Sequence, residues 1–270
     1  MLLSDLKPNL IKIALAAGFL IQEIAKQGFA TTHKADSSTL TDADLAANEL
    51  IIGRLQSIYP DILVVSEEGN QYRGEGLENG DWFIIDPLDG TRGFAKGSKE
   101  YTVNIALIRN GIAIAGVIFA PDSGELYYGD NETGAVFYEV ASGEIGLEMP
   151  IAAQKLRNPA LLLVSRHHLD GKTKDFTLKF ENPKITQMNS SIKLCKIAAG
   201  EGDIYPRFGP TSQWDIAAGQ AILEAAGGRV LQANGKSLKY GRVDENGLLR
   251  LNPNFVACGN FIPAFLPFVD

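Results

Sequence analysis

The strongest constraint on this chain comes from residues 81–97, where a buried strand runs into a turn rich in carboxylates. Residues 82–85 form an unbroken apolar run, Trp-Phe-Ile-Ile, which is typical of a strand buried on both faces. The next six residues are Asp86-Pro87-Leu88-Asp89-Gly90-Thr91. Proline lacks the amide hydrogen that a strand needs, and glycine permits unusual backbone angles, so we expect the chain to turn here. The turn would bring the carboxylates of Asp86 and Asp89 towards one point.

This turn has the chemistry of a site for a metal ion and a phosphate. Two carboxylates and an inward main-chain carbonyl, for which Leu88 is the candidate, are the oxygen ligands that Mg²⁺ prefers. Gly90 lets main-chain amides approach a ligand, and Thr91 would begin a short helical turn whose free amides favour an anion. An Asp-rich turn is also common as a plain solvated loop, so the turn alone leaves both interpretations open.

Another pair of acids follows the preceding strand. Residues 62–65 are apolar and predict a short buried strand, and Glu67 and Glu68 stand at its end. If this strand runs beside residues 82–85 in the same direction, Glu67 lies near Asp86. A third carboxylate is what a second Mg²⁺ would need, although adjacent glutamates at a strand end are usually solvated.

Two helices precede these strands. Apolar residues recur at helical spacing over residues 4–27 and predict an amphipathic core helix that ends at Gly28. Residues 41–58 predict a second helix, in which Thr41 and Asp44 have the spacing of a capping box. Asp44 is either a first-turn charge or a residue of the site, and this segment alone does not decide between the two.

The rest of the chain divides into two patterns. Successive strand-like runs separated by turn residues predict an antiparallel meander with a hairpin turn at Asn110-Gly111, and its strands cover residues 102–109, 112–120, 125–128 and 135–140. Later, strands predicted at 161–165, 185–188, 203–207 and 229–232 alternate with helices predicted at 170–181, 191–200 and 214–226. We therefore expect an α/β protein with two domains. Residues 1–152 would carry the helix pair, the antiparallel sheet and the metal turn, and residues 153–270 a smaller α/β domain.

Asp215 falls in the first turn of the helix predicted at residues 214–226, just before Ala217, Ala218 and Gly219. An acid at a helix start complements the helix dipole, which is the simpler explanation. The small residues let another element pack closely, so the acid is also a candidate for a position in a cleft.

Charge and cysteine content limit the function classes. The net charge of −7 argues against a general nucleic-acid surface. Cys195 and Cys258 lie in apolar surroundings and look like buried free thiols, which indicates a reducing, cytoplasmic compartment. Charged and polar residues interrupt the apolar stretch within residues 4–27, so we expect no stable membrane insertion. Peripheral association with the inner face of the cell membrane stays open.

Together these motifs resemble the inositol monophosphatase superfamily, whose members are magnesium-dependent, lithium-sensitive phosphatases. The motifs are, in chain order, Glu67-Glu68, Asp86-Pro-Leu-Asp89-Gly90-Thr91 and Trp214-Asp215-Ile-Ala-Ala-Gly219. Within the superfamily the chain is most similar to the CysQ-type 3'(2'),5'-bisphosphate nucleotidases. This similarity rests on residues 34–36 with 41–44, 103–107, 190–193 and 205–210.

The resemblance implies an alternating αβαβα sandwich of the inositol monophosphatase and sugar phosphatase type, with Mg²⁺ in the cleft between its halves. It implies two ions, with Asp44 helping to hold a third. The implied metal ligands are Glu67, Asp86, Asp89, Asp215 and the Leu88 carbonyl. The implied catalytic residues are Asp44 and Thr91, which would orient and deprotonate the attacking water, together with Glu68.

The resemblance also implies a substrate site in the second half of the chain. Amides around Gly90 and Thr91 would hold the phosphate that is released. The residues implied to line the nucleoside and its second phosphate are Ser190, Ser191, Lys193 and Arg207, with His167 near the base. Without the resemblance, a surface position and a binding role are equally good explanations of Lys193 and Arg207.

The implied activity is hydrolysis of the 3'-phosphate of adenosine 3',5'-bisphosphate, with 3'-phosphoadenylyl sulfate as a further substrate, in sulfur assimilation. One alternative is the same chemistry on inositol monophosphate or fructose 1,6-bisphosphate. Another is a non-catalytic regulator that binds metal or nucleotide. The expected partner is a small phosphorylated nucleotide. The oligomeric state is left open, with a homodimer as the form many relatives adopt.

Overall fold

The computed structural model of the chain describes residues 3–34, 38–69, 77–166, 171–189 and 191–261. The helices in these ranges are α1 (Leu3–Gln27), α2 (Asp42–Ile58), α3 (Thr91–Phe94), α4 (Gly171–Thr177), α5 (Ile192–Ala198) and α6 (Ala217–Ala225). The strands of the first half are β1 (Thr31–His33), β2 (Thr39–Thr41), β3 (Leu63–Ser66), β4 (Asp81–Asp89), β5 (Thr102–Arg109), β6 (Ile112–Ala120), β7 (Glu125–Asp130), β8 (Gly134–Ala141), β9 (Glu144–Ile145) and β10 (Met149–Ile151). Those of the second half are β11 (Leu161–Ser165), β12 (Lys184–Met188), β13 (Ile204–Arg207), β14 (Arg229–Gln232) and β15 (Phe255–Cys258).

These strands form two main sheets. The large sheet has the order β10-β8-β7-β6-β5-β4-β3, with β9 beside β8, and it is antiparallel except for the parallel pair β3 and β4. The small sheet has the order β12-β11-β13-β15-β14 and is mixed. Strands β1 and β2 form a separate hairpin-like pair.

The helices and sheets stack in five alternating layers. Helices α1 and α2 cover one face of the large sheet, where they pack against Phe83 and Ile85 of β4. Helices α5 and α6 lie between the two sheets and contact the opposite face of β4 at Trp82 and Ile84. Helix α4 packs on the outer face of the small sheet through Phe176. Because β4 is covered on both faces, its run of apolar residues is explained, and the αβαβα layering is confirmed.

Close approach of α6 to the large sheet depends on glycine. A Cβ atom added to Gly116 of β6 would lie 2.5 Å from the carbonyl oxygen of Ala218, and one on Gly129 of β7 would lie 2.7 Å from the Cα atom of Ile222. On the other side of α6, a Cβ on Gly219 would lie 2.4 Å from a methyl group of Leu194 in α5. A side chain at Gly116 or Gly129 would overlap main-chain atoms of α6, and one at Gly219 would require Leu194 to move. The small residues after Asp215 therefore do allow tight packing.

The expected turn at Pro87 is wrong in one respect, because β4 continues through it to Asp89. Pairing with β5 passes from Asp86 opposite Asn104 to Asp89 opposite Thr102, so two residues of β4 face one of β5. Such a bulge tolerates the missing amide of proline and re-aims side chains at the end of a strand. The chain turns only at Gly90, which has a φ of 96°.

The helix predicted over residues 214–226 begins later than expected. Helix α6 starts at Ala217, so Asp215 lies in the preceding turn and not in the first turn of the helix. The carbonyl of Gln213 accepts the amides of Ile216 and Ala217 and closes that turn. Helix α4 is likewise shorter than the predicted 170–181. Strands β1, β2, β9, β10 and β15 were not predicted.

The division at residues 152 and 153 stays a prediction. The large sheet ends with β10 at Ile151 and the small sheet begins with β11 at Leu161. The core between the sheets joins residues of both halves, since α5 and α6 come from the second half and pack on the large sheet of the first.

Helix α1 is long and apolar enough over Asp5–Gln27 to cross a membrane, by length and composition alone. Among the described residues it is the one helix with this property. Its apolar face is buried in the layer against the large sheet, where Leu6, Leu10 and Ile21 are fully covered. Helix α1 therefore contributes to the core of this fold.

Candidate active site

Three carboxylates from distant parts of the chain meet at one end of the large sheet. Glu67 follows β3, Asp86 lies in β4, and Asp215 precedes α6. One oxygen of each lies within 4.8 Å of one oxygen of both others. Because β3 and β4 are parallel neighbours, as the sequence analysis required, their ends place Glu67 beside Asp86. The three form a site that could hold a metal ion.

Asp86 is the most buried of the three, with 1% of its surface exposed. Its Oδ1 accepts the amide of Leu88 at 3.1 Å. Its Oδ2 is buried and has no hydrogen-bond partner among the described residues. Burial, and then the negative charge of Glu67, raise the pKa of Asp86 well above its usual range. A buried carboxylate oxygen without a donor is costly unless a cation completes the site.

Lys34 partly neutralises the two glutamates. Its Nζ lies 2.6 Å from Oε2 of Glu68 and 3.5 Å from Oε1 of Glu67. Burial and the charge of Asp215 nevertheless raise the pKa of Glu67 to about 8. Glu68, which the sequence analysis places among the catalytic residues, is held by this ion pair. Lys34 belongs to the motif at residues 34–36, and nothing else in the sequence predicted its contact with the two glutamates.

Asp215 is oriented by its own turn. Its Oδ2 accepts the hydroxyl of Thr211 at 2.8 Å and the amide of Ser212 at 3.0 Å. Burial, and then the charge of Asp89, raise its pKa to about 6. Thr211 was missed by sequence reasoning, because a donor four residues before an acid gives no signal without the turn that brings them together.

Asp44 and Thr91 are joined as the resemblance implies. The hydroxyl of Thr91 lies 2.9 Å from Oδ1 of Asp44 and 2.9 Å from the carbonyl oxygen of Leu88. Oδ2 of Asp44 accepts both the amide (2.8 Å) and the hydroxyl of Thr41, so the predicted capping box is confirmed. Burial raises the pKa of Asp44 despite these hydrogen bonds. Asp44 thus both caps the N-terminus of α2 and holds Thr91 of the site.

Asp89 is connected to the second half of the chain through Ser191. Its Oδ2 accepts the amide of Ser191 at 2.6 Å and the hydroxyl of Ser191 at 2.8 Å. The same hydroxyl lies 2.7 Å from the main-chain oxygen of Asp215, and Nδ2 of Asn104 donates to it at 2.9 Å. Ser191 was predicted to face substrate, and in the structure it donates to the carboxylate of Asp89. Asn104 was missed as a site residue.

Two adjacent cavities surround these groups. The acidic cavity, of about 220 Å³, is lined by Ser38, Thr39, Glu67, Asp86, Leu88, Asp89, Gly90, Thr91, Arg92 and Asp215. The cationic cavity, of about 200 Å³, is lined by Asp89, Gly90, Arg92, Gly93, Glu100, Ser165, Asn189, Ser191, Lys193, Leu194, Tyr205, Arg207, Thr211, Asp215 and Ile216. They share Asp89, Gly90, Arg92 and Asp215.

Two buried cations give the cationic cavity its name. Lys193 is 3% exposed and Arg207 is 8% exposed, so neither is a surface charge. Nζ of Lys193 lies 5.0 Å from the centre of the Tyr205 ring and 3.4 Å from the carbonyl of Met188. Burial lowers the pKa of Lys193 to about 8. The guanidinium of Arg207 donates to the carbonyl of Pro210, while its Nε is buried without a partner among the described residues.

The predicted residues are therefore brought together, with two exceptions that the structure leaves open. His167 and Ser190 lie outside the described residues. The acidic cavity fits a hard cation, since carboxylate oxygens and a carbonyl oxygen are available as metal ligands. One of these oxygens, Oδ2 of Asp86, is buried and accepts no hydrogen bond from the described residues. The cationic cavity fits an anion.

Comparison with known proteins gives a consistent result. A profile of the inositol monophosphatase family matches residues 3–258. The chain is 39% identical over 237 residues to the 3'(2'),5'-bisphosphate nucleotidase CysQ of Buchnera aphidicola subsp. Acyrthosiphon pisum (strain APS), with 86% of each protein covered. It is 40% identical over 210 residues to the 3'(2'),5'-bisphosphate nucleotidase CysQ of Escherichia coli (strain K12), covering 77% of this chain and 81% of that protein.

Solved structures agree. The crystal structure of CysQ from Bacteroides thetaiotaomicron, a bacterial member of the inositol monophosphatase family, superposes with a TM-score of 0.77 at 35% identity. The match covers 94% of this chain and 97% of the other.

Proposed function

The chain belongs to the inositol monophosphatase family, and from this premise we propose that it is a 3'(2'),5'-bisphosphate nucleotidase. The reaction is hydrolysis of the 3'-phosphate of adenosine 3',5'-bisphosphate to AMP and phosphate. 3'-Phosphoadenylyl sulfate, which carries the same 3'-phosphate, is a second substrate. The observation that carries the proposal is that an acidic cavity and a cationic cavity lie side by side with a common wall.

The pair of cavities suits a substrate with two anionic groups. The phosphate that is cleaved belongs at the acidic cavity, where a cation balances the charge. The remaining phosphate belongs near Lys193 and Arg207, whose burial makes them strong partners for an anion. A substrate with one phosphate brings no second anionic group to the cavity that Lys193 and Arg207 line. This electrostatic fit favours a bisphosphate over an inositol monophosphate.

The family and its CysQ members are metal-dependent phosphatases, and we propose Mg²⁺ as the metal here, with two or three ions. The proposed ligands are Glu67, Asp86, Asp89, Asp215 and the Leu88 carbonyl. When bound, Mg²⁺ lowers the pKa of a bound water and neutralises charge on phosphate oxygens. The unpartnered oxygen of Asp86 and the raised pKa values of Glu67, Asp86 and Asp215 support a cation at this position.

Asp44 and Thr91 are the proposed proton acceptors. The Thr91 hydroxyl donates a hydrogen bond to Oδ1 of Asp44, which leaves its oxygen free to accept a hydrogen bond from the attacking water. As the water attacks, its proton would pass to the Thr91 oxygen while the Thr91 proton passes to Asp44. Burial raises the pKa of Asp44, which makes this carboxylate a better base than an exposed one. Glu68 is held by Lys34 and lies beside Glu67, so its negative charge adds to that of the acidic cavity.

The proposed substrate contacts outside the acidic cavity are those of the second half. Lys193 and Arg207 bind the second phosphate, and Ser191 lines the same cavity. His167 near the base and Ser190 beside Ser191 are proposed from the resemblance alone. The amides of Gly90 and Thr91 are proposed to hold the phosphate that leaves. A cytoplasmic location and a homodimer complete the proposal.

A substrate panel tests it. Metal-stripped protein is assayed for phosphate release with and without Mg²⁺ on adenosine 3',5'-bisphosphate, inositol 1-phosphate and fructose 1,6-bisphosphate. We expect Mg²⁺-dependent turnover that strongly favours the nucleotide. Preference for inositol 1-phosphate or fructose 1,6-bisphosphate would refute the substrate assignment. Nucleotide binding without phosphate release would indicate a non-catalytic regulator.

A further inference from the structure

A buried polar residue in β5 is not explained by the reaction described so far. Asn104 is 1% exposed and lies on the face of β5 that turns towards α5 and α6. The next residues on that face, Ala106 and Ile108, belong to the apolar core between the sheets. Burying an amide in such surroundings is costly unless it is hydrogen-bonded, and an apolar residue would be the stable choice here.

The hydrogen bond that Asn104 makes leads to the carboxylate centre. Its Nδ2 donates to the hydroxyl oxygen of Ser191 at 2.9 Å. The Ser191 hydroxyl lies 2.8 Å from Oδ2 of Asp89 and 2.7 Å from the main-chain oxygen of Asp215. The three elements joined at this hydroxyl are β5, the end of β4 and the turn before α6.

The direction of the donation matters, because a serine hydroxyl has one proton. Since Asn104 donates, the Ser191 oxygen accepts, and its own proton is directed to Asp89 or to the Asp215 carbonyl. Without that donation the hydroxyl could rotate. Asn104 also lies directly opposite Asp86 in the pairing of β4 and β5. It therefore stands beside one proposed ligand and, through Ser191, holds two others.

We propose that Asn104 is a positioning residue of the metal centre, acting through Ser191 on Asp89 and Asp215. This inference rests on the metal centre of the proposed function. Residues that orient metal ligands commonly contribute 10- to 100-fold to metal affinity, and we expect about that range here. The Oδ1 of Asn104 is buried without a partner among the described residues, a further cost with no benefit to packing.

The experiment measures Mn²⁺ binding to the metal-stripped full chain by electron paramagnetic resonance, so that the readout does not depend on turnover. The variants are Asn104→Leu, Ser191→Ala and the double variant, with Asn104→Ala as a second test if the leucine does not fit. Thermal unfolding without metal is recorded for each. The matched control is Thr102→Val, which removes a buried hydroxyl two residues earlier on the same face of β5, one without a partner among the described residues.

We expect Asn104→Leu to weaken Mn²⁺ binding by about tenfold or more while the metal-free thermal midpoint is unchanged or higher. The double variant should bind Mn²⁺ no more weakly than whichever single variant binds it less tightly. Both substitutions remove the same hydrogen bond between Asn104 and Ser191. At saturating metal, kcat should fall while KM stays close to that of the wild type.

Four results would overturn the inference. They are wild-type Mn²⁺ affinity in both Asn104 variants, additive effects in the double variant, an equal loss in Thr102→Val, and a loss of affinity that only follows a loss of stability. A wild-type chain that binds no Mn²⁺ refutes the metal centre and the inference with it. A wild type that binds Mn²⁺ but releases no phosphate from the nucleotide refutes only the proposed reaction.

Discussion

The acidic cavity and the cationic cavity share a wall, but burial disfavours negative charge in the first and positive charge in the second. In the first, burial and neighbouring carboxylates raise the pKa of Glu67 to about 8 and that of Asp215 to about 6, so negative charge is disfavoured there. In the second, burial lowers the pKa of Lys193 to about 8, so positive charge is disfavoured there. An ion of the opposite charge would stabilise each cavity. Under the proposed function a metal ion and the second phosphate of the substrate would supply these charges, on either side of the shared residues Asp89 and Asp215.

The largest expected effect is in the acidic cavity. Asp86→Asn should abolish measurable phosphate release, since it removes a proposed ligand and we expect a loss beyond the roughly 100-fold typical of a residue that only supports ligands. The metal-free variant should be at least as stable as the wild type, because it loses a buried carboxylate oxygen without a partner. Phosphate release and thermal unfolding without metal measure both effects.

Asp81→Asn is the matched control for this prediction. Asp81 begins the same strand and is paired with Arg109 at 2.8 Å, away from the cavity. Its loss should leave turnover nearly intact. An active Asp86→Asn enzyme would contradict the assignment of the acidic cavity as the metal centre.

The second prediction addresses the cationic cavity. Lys193→Met should raise KM for adenosine 3',5'-bisphosphate by about 10- to 100-fold, the size expected for one charge-assisted hydrogen bond. The KM for a simple phosphate monoester should change far less, since that substrate has no second phosphate. Steady-state kinetics on both substrates give the comparison.

Lys196→Met is the corresponding control, because Lys196 lies on the same helix but pairs with Glu125 and Glu201. It should leave both KM values nearly unchanged. Equal increases for the two substrates in Lys193→Met would show that this lysine does not recognise the second phosphate.

The third prediction concerns the pH dependence of stability without metal. The folded pKa values of Glu67 and Asp215 lie above their unfolded values, so the folded state binds more protons and stability falls as pH rises from about 4 to about 8. The folded pKa of Lys193 lies below its unfolded value, so its contribution rises from pH 8 towards 10. These groups together predict a stability minimum near pH 8.

Thermal unfolding between pH 5 and pH 10 measures this effect. We expect a change of several degrees, since about 1 kcal/mol moves the midpoint by roughly 2–4 °C in a chain of this size. Added Mg²⁺ should remove the fall below pH 8, and Lys193→Met should remove the rise above it. A metal-free profile that is flat from pH 5 to pH 8 would contradict crowding of the carboxylates.

The smallest expected effect is at the rim of the cationic cavity. Glu100 accepts the guanidinium of Arg166 at 2.9 Å and the amide of Asn189 at 3.2 Å, and nearly half of its side chain is exposed. Glu100→Gln removes a negative charge beside a site for an anion, so KM for the bisphosphate should fall, but by less than about threefold because solvent screens the charge. The control is Glu132→Gln, on the distant turn after β7. A rise in KM for the bisphosphate in Glu100→Gln would contradict repulsion between Glu100 and the bound anion.

Local patterns in the sequence predicted much of the fold. The strands at Thr102–Arg109 and Ile112–Ala120 and the turn between them follow from two apolar-rich runs on either side of Asn110-Gly111. The capping box of Thr41 and Asp44 formed as expected. The break at Pro87 was placed wrongly, because a bulge paired with β5 keeps the strand intact, and that partner lies outside the local sequence. Strand β15 was missed for a similar reason, since it is defined by its pairing with β13 and β14.

The sequence by itself determined the chemistry of this protein, because Asp86, Asp89, Gly90 and Thr91 lie within one short segment. Their side-chain types and their spacing are therefore set by the covalent chain. Only the tertiary structure decided which of the remaining acids and bases join them. Parallel pairing brings Glu67 to Asp86, the glycines under α6 let Asp215 approach, and burial turns Lys193 into part of a cavity. Distances between residues far apart in the chain, and the dielectric surroundings that shift pKa values, arise only when the layers pack.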